Sequence, residues 1–386
     1  MKILYSIYSR AGKPGGHFFS FDHTITALSE KVEPVILYIG VEHPVLEKIP
    51  CRKYRVDASL ASKDRVKRIV KKEKPDVVHC FDANSYSFMS LFLCTDKIRF
   101  LLTIPGGNPN PSKLPYCKDI ILFSKETLGT FLLCKQYRES SLTYIPNRVN
   151  TSRLNKFETT RDDHLKLFQV IRIAKEKHQQ ISKTLNLLKL LVGKKIRVKL
   201  ILAGVVNSPS ERDFILDYIS SNKLEKYFEL INDDRVYHGS DLLSLGDCVI
   251  ATGRSVMEAA SLGKLILVPT KSMDYPVVLD KQNFEVLFYY NFSGRTVANY
   301  SENEFKKIEL LLSDKEYQND IAEYLSNISK CYFEITNDVK EKYYKIYSQL
   351  DITPQRTFIL KNLFYWIKWI LGNIRGMGFL QFIIGK

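Results

Sequence analysis

Short apolar runs rich in Ile, Leu, Val and aromatic residues recur along the whole chain, each followed by a longer stretch of helical period. A run of four to eight such residues, apolar on both faces, predicts a strand covered on both sides. In the first half these runs fall at 2–8, 34–39, 76–80, 99–104, 119–123 and 143–145. In the second half they fall at 166–172, 196–202, 228–231, 248–251, 265–268 and 286–290. Strands alternating with helical segments predict parallel sheets built from β-α-β units, and two such series predict two doubly wound α/β domains. The break falls after Pro146-Asn147, because 151–164 is polar and carries no apolar period. The predicted domains are therefore 1–150 and 151–330. A helical pattern over 322–350 predicts a crossing helix, assigned to 331–353, returning to the first domain, with 354–386 as a separate tail.

Composition refines this picture in three places. A length of 386 residues suits two domains, and 45% apolar with 26% charged residues is an ordinary globular balance. The formal charge of +15 is uneven: 62–74 holds seven Lys or Arg against two acids, and the last 33 residues hold five basic residues and no acid. Such patches suit an anionic partner, a nucleic acid or a membrane surface, although a solvated basic face explains 62–74 equally well. No nucleic-acid motif is legible, so no nucleic-acid partner is expected. Seven cysteines are scattered without a C-x-x-C pair, which predicts reduced thiols, no zinc site and a cytoplasmic setting. The N-terminus enters a strand without a signal-peptide pattern, and no apolar stretch reaches the ~18 residues of a spanning helix.

Taken as a helix, the tail aligns Lys361, Tyr365, Lys368, Gly372 and Arg375 in one stripe, with apolar and aromatic residues around the rest. Trp366 and Trp369, the only tryptophans, fall here. A basic stripe on an aromatic-rich helix predicts a tail lying in a membrane interface with the tryptophans as anchors. The alternative is a helix docked on the first domain.

Candidate chemistry concentrates at 253–269, GRSVMEAASLGKLILVP. A turn at Gly253-Arg254-Ser255 opens a short helix bearing Glu258, and Gly263 stops it before an apolar strand. Such a turn presents backbone N–H groups and the positive end of the helix dipole, a seat for phosphate. A carboxylate one turn later reaches the hydroxyls of a sugar attached to that phosphate. Glu-Ala-x-x-x-x-Gly before an apolar strand resembles the donor-site signature of GT-B glycosyltransferases, most like family 4. Further motifs follow in the family's order over about 330 residues. They are Gly15-Gly16-His17 after the first strand, Lys74-Pro75-Asp76-Val77-Val78-His79, Asp119 to Ser124-Lys125, Tyr144-Ile145-Pro146-Asn147, Arg172 with Lys177, and Leu200 to Gly204.

The resemblance implies two Rossmann-like domains facing each other across a cleft, and a sugar passed from a nucleotide diphosphate donor, UDP- or GDP-linked. It implies that Arg172 and Lys177 stabilise the two negative charges left on the departing diphosphate, and that Glu258 holds the ribose. Gly15, Gly16, Gly204, Gly253, Arg254 and Ser255 would line the nucleotide. His17, His79, Gly106, Gly107 and Asn147 would face the acceptor or sugar. It further implies an anomer-retaining, metal-independent reaction without a cofactor, on a growing bacterial surface glycan, free or lipid-linked, such as lipopolysaccharide or capsule. The chain would then work at the inner membrane face, bound to anionic lipid through 354–386.

Two departures stand out. Where the family commonly ends a strand in Thr-Val-His, this chain reads Thr103-Ile104-Pro105-Gly106-Gly107, and Ile250 stands where retaining members carry a first glutamate. A non-catalytic partner subunit and a nucleotide-sugar epimerase of the same fold therefore remain as alternatives.

Overall fold

The computed structural model describes residues 1–9, 15–151, 165–300, 303–352 and 358–377. The chain forms two units, one of residues 1–147 with the chain from 335 onward, the other of residues 148–334. Residues 10–14 and most of the polar segment at 151–164 lie outside the described residues.

The first unit is built on a parallel sheet of seven strands: β1 (Lys2–Ser9), β2 (Glu33–Gly40), β3 (Arg52–Val56), β4 (Val77–Cys80), β5 (Arg99–Ile104), β6 (Asp119–Leu122) and β7 (Ser141–Tyr144). They run in the order 3-2-1-4-5-6-7. Alternate residues of β1 enter different cores: Ile3, Tyr5 and Ile7 pack on one face of the sheet and Leu4 on the other. Burial on both faces is why this strand reads as a continuous apolar run.

The second unit repeats the plan with β8 (Leu165–Val170), β9 (Val198–Ala203), β10 (Phe228–Ile231), β11 (Cys248–Ile250), β12 (Leu265–Val268) and β13 (Val277–Val278). Their order is 10-9-8-11-12-13, and only β13 runs antiparallel. Both units are thus doubly wound α/β domains.

Several elements depart from the sequence expectation, among them the short antiparallel β13, which no apolar run announced. β3, Arg-Lys-Tyr-Arg-Val, is a sheet edge whose charges hide its strand character. The run at 286–290 is not a strand but part of a helix, Phe284–Tyr289, in which Phe284, Leu287 and Phe288 turn inward at helical spacing. The pattern over 322–350 is interrupted: one helix ends at Ile328, a π-turn covers Ser329–Phe333, and the helix returning to the first unit is Asn337–Gln349.

The tail helix, Ile359–Met377, docks on the first unit. Its tryptophans are not interfacial anchors, since Trp366 and Trp369 are only 5% and 6% exposed. Trp366 donates its ring N–H to the Ser90 hydroxyl at 3.1 Å, and Trp369 packs edge-on to Phe88. The predicted polar stripe also points partly inward. Lys361 pairs with Glu139 at 2.7 Å, and the Tyr365 hydroxyl donates to the Ser112 carbonyl. The Arg375 side chain lies outside the described residues. No described helix is long and apolar enough to cross a membrane.

Candidate functional site

In the second unit the polar groups gather where the parallel strands end. β8 continues past Val170 through Ile171 and Ile173, whose N–H groups donate to the Ala203 and Val205 carbonyls. Both isoleucines are buried, so Arg172 between them points outward, about half exposed. A tight turn follows, and Lys177 caps the helix His178–Gly193. Burial, with Arg172 and Arg295 close by, holds the Lys177 ammonium below the usual lysine range; Glu176, paired with Arg172, opposes the shift only partly. A half-buried lysine repelled by two guanidiniums is short of negative charge. His178 is occupied structurally: it pairs with Glu211 and stacks on Phe214.

Three residues past β11, Gly253 adopts φ 58° and ψ −126°, a conformation open almost only to glycine. The helix Arg254–Ser261 starts there with no side chain capping it. Ser255 is half-buried at its mouth. Arg254 and Glu258 do not stand open for a ligand as the resemblance implied. They pair with each other, Nε to Oε1 at 2.7 Å, with side chains 6% and 4% exposed. Arg254 also donates to the Arg148 carbonyl at 3.1 Å. A cation at a helix start opposes the dipole, and the glutamate one turn later compensates it. The pair braces the turn. Ile250 is buried in β11, so the position of the family's first glutamate faces the core.

Gly204 has a packing reason. A methyl group there would lie 1.8 Å from the Ile171 carbonyl oxygen, so the ends of β8 and β9 approach too closely for any other residue.

Sequence reading missed one participant, the loop after the helix Phe284–Tyr289. Asn291 and Phe292 both adopt positive φ, 53° and 51°. The Phe292 carbonyl accepts from the Gly253 N–H at 3.1 Å. Gly294 lies so close to Gln180, on the first turn of the helix behind Lys177, that a methyl group would be 2.7 Å from its amide nitrogen. The loop therefore bridges the Gly253 turn and the Lys177 turn, and it carries Arg295 between them. Asn291 Oδ1 and Gln180 Oε1 are buried there without a hydrogen-bond partner among the described residues. The one sequence signal was the turn-prone Asn-Phe-Ser-Gly-Arg, obscured by the expected strand just before it.

The first-unit candidates present a different face. His79 is sealed in the core: Nε2 lies 2.7 Å from the Thr103 hydroxyl and Nδ1 2.9 Å from the Tyr347 hydroxyl, and burial pulls its pKa to about 3. Asn147 is buried and accepts from the Ser20 hydroxyl at 2.9 Å. His17 is half-buried against Phe18, and burial together with His43 lowers its pKa to about 4, so it is neutral at physiological pH. Gly15 caps the helix Gly16–Leu28, and a methyl group on Gly16 would meet open space. Gly106 and Gly107 have φ of 140° and 74°, a backbone turn after β5 that other residues rarely make. Among the described residues no group of three His, Cys, Asp or Glu side chains is placed to share a metal ion.

No protein-family model and no curated protein sequence matches the chain. Solved structures do match in fold. HepE from Anabaena, solved with UDP and glucose, superposes with a TM-score of 0.64 at 15% identity, over 91% of this chain and 100% of its own. A glycosyltransferase from Rickettsia africae gives 0.65 at 16% identity, over 90% and 98%. The chain has the GT-B fold. A UDP-N-acetylglucosamine 2-epimerase from Listeria monocytogenes, described as putative in its own naming, matches at 0.54 with 14% identity, over 87% and 98%.

Proposed function

We propose that this chain is a glycosyltransferase that moves a sugar from a nucleoside diphosphate donor, with the diphosphate held in the second unit. The observation that carries this reading is the loop that bonds the Gly253 turn through Phe292, packs Gly294 on Gln180 of the Lys177 helix and sets Arg295, like Arg172, close to Lys177. Breaking the donor's glycosidic bond leaves the diphosphate with added negative charge. Cations already positioned there stabilise that charge without reorganising. Arg172 and Arg295 offer planar, bidentate donors and Lys177 a point charge. Backbone N–H groups at Arg254 and Ser255 supply the remaining donors. The buried acceptor oxygens of Asn291 and Gln180 suit hydroxyls of the ribose or the sugar. Glu258 acts through Arg254, as a positioning residue for the phosphate turn.

The reaction takes the retaining, metal-independent course of the family it resembles. The bond from the anomeric carbon to the diphosphate oxygen breaks, the acceptor oxygen bonds to the same face, and its proton passes to the departing diphosphate. The acceptor in this reading is a growing glycan, as the family resemblance implies. Uridine is the first base to test because HepE was solved with UDP.

The test is a binding titration with UDP, GDP, ADP and CMP on wild type, Lys177→Ala and Arg295→Ala, followed by product analysis with the matching nucleotide sugar. Selective binding lost in both variants, with sugar transferred to a glycan acceptor, supports the reading. An isomerised nucleotide sugar would move the chain to the epimerases of this fold. Binding without turnover would make it the non-catalytic subunit that Ile250 allows. No binding of any nucleotide overturns the donor site.

A further inference from the structure

The tail helix has two apolar faces, and only one is used in packing. Asn362, Trp366 and Trp369 turn inward and are nearly inaccessible. On the opposite side Leu360, Phe364, Ile367 and Leu371 recur at spacings of four, three and four, and are 91%, 66%, 46% and 51% exposed. A helix turning such a row toward water is anomalous for a face that meets only solvent. A second apolar element belongs to the same neighbourhood. Leu132 and Leu133 close the helix Lys125–Leu133 at 64% and 87% exposure, immediately before the turn Lys135–Tyr137 that packs on the tail helix.

Between that turn and the tail helix lies a cleft of about 520 Å³. Its charged lining is Lys135, Arg138, Lys361 and Glu139, and Glu139 is already paired with Lys361. Lys135 and Arg138 therefore leave the cleft net positive, with Phe364 and Tyr365 forming its apolar wall. Exposed apolar ridges flanking a cationic cleft match one partner chemically: an anionic lipid bilayer, whose acyl region takes the ridges and whose headgroup phosphates take the cations. The same sign of charge extends through the tail, where residues 354–386 hold five basic residues and no acid.

We infer that the outer face of the Ile359–Met377 helix, together with Leu132, Leu133 and the Lys135–Arg138 cleft, is a docking surface for an anionic membrane. This differs from the tail-anchor expectation in its parts: the tryptophans hold the helix to the protein, and leucines, Phe364 and a cleft contributed by another segment meet the lipid. The surface lies wholly in the first unit and is independent of the donor site.

The test is flotation of the full-length protein with vesicles of phosphatidylcholine alone or mixed with phosphatidylglycerol. Three proteins are compared: wild type, Lys135→Ala/Arg138→Ala and Leu360→Ser/Phe364→Ser. Wild type is expected to float only with the anionic vesicles. Loss of two cations should weaken partitioning roughly 30-fold, and loss of the two apolar side chains should abolish it. All four positions are away from the core, and an unchanged melting curve for each variant confirms folding. Wild type that ignores anionic vesicles, or variants that float equally well, would overturn the inference. So would a concentration-dependent dimer that Leu360→Ser/Phe364→Ser dissolves without any vesicle binding, since the face would then belong to a second copy. Failure of nucleotide binding would count against the donor site alone and leave this result standing.

Discussion

The two units share one architecture but spend their polar residues differently. In the second, the strand ends carry outward cations: Arg172 between two buried isoleucines, Lys177 with a depressed pKa, and Arg295 brought in on a strained loop. In the first, the comparable candidates are absorbed into packing. His79 has both ring nitrogens occupied, Asn147 is buried against Ser20, and His17 is held neutral. Fold alone does not make a binding site. Among the described residues it is the second unit that sets three cations, Arg172, Lys177 and Arg295, beside a glycine-led helix start.

The comparison breaks most severely at Glu258. Glu258→Ala leaves Arg254 buried without its counter-charge, and melting or denaturant curves should show a loss of about 3–5 kcal/mol. Replacing both residues by Met should restore much of it, whereas an exposed, ligand-binding Glu258 would leave stability unchanged. Gly204→Ala comes next. A methyl group 1.8 Å from the Ile171 carbonyl oxygen forces β8 and β9 apart, at a cost of about 3 kcal/mol, with no direct effect on ligand affinity in whatever fraction stays folded.

Lys177→Ala should do the reverse. Calorimetry should show nucleotide affinity falling roughly 10- to 100-fold, the range for a charge-assisted contact, while thermal stability holds or rises as like-charge repulsion is relieved. Arg295→Ala should follow in the same direction with a smaller loss.

The first unit should instead reveal itself through acid. His79 is neutral when folded, with its pKa near 3, against 6.5 unfolded. Below 6.5 the unfolded chain therefore binds a proton that the folded chain does not. The stability this histidine contributes is present above 6.5 and lost as pH falls toward 3, by up to about 1.4 kcal/mol per pH unit. His79→Gln should flatten that slope in melts across this range. The smallest effect belongs to Gly16→Ala: the added methyl meets open space, so stability should move by less than about 0.5 kcal/mol. A large loss of turnover would then place a ligand against that backbone.

Legibility in the sequence followed burial. Strands covered on both faces, such as β1, β5 and β12, were evident as apolar runs because every side chain there meets core. β3 was hidden because an edge strand tolerates charge, and the helix at Phe284–Tyr289 was mistaken because six residues are too few to separate a strand from one and a half helical turns. At the candidate site, Arg172 and Lys177 were singled out by the family resemblance, and the structure places both just after one strand. The bond between Arg254 and Glu258 was written in their separation of four residues, but spacing cannot say whether two opposite charges face a ligand or each other.

Local order, then, was determined by the sequence alone: periodicity sets which segments become strands and helices, and glycine at 253 sets where the turn before the Arg254–Ser261 helix sits, because few other residues adopt that conformation. Tertiary structure decided which charges are brought together. Arg295 stands more than a hundred residues from Arg172 in the chain, and Leu133 more than two hundred from Phe364, so their groupings exist only after folding. Desolvation and neighbouring charge, which lower the pKa of Lys177 and hold His79 neutral in the core, are properties of the space around a side chain.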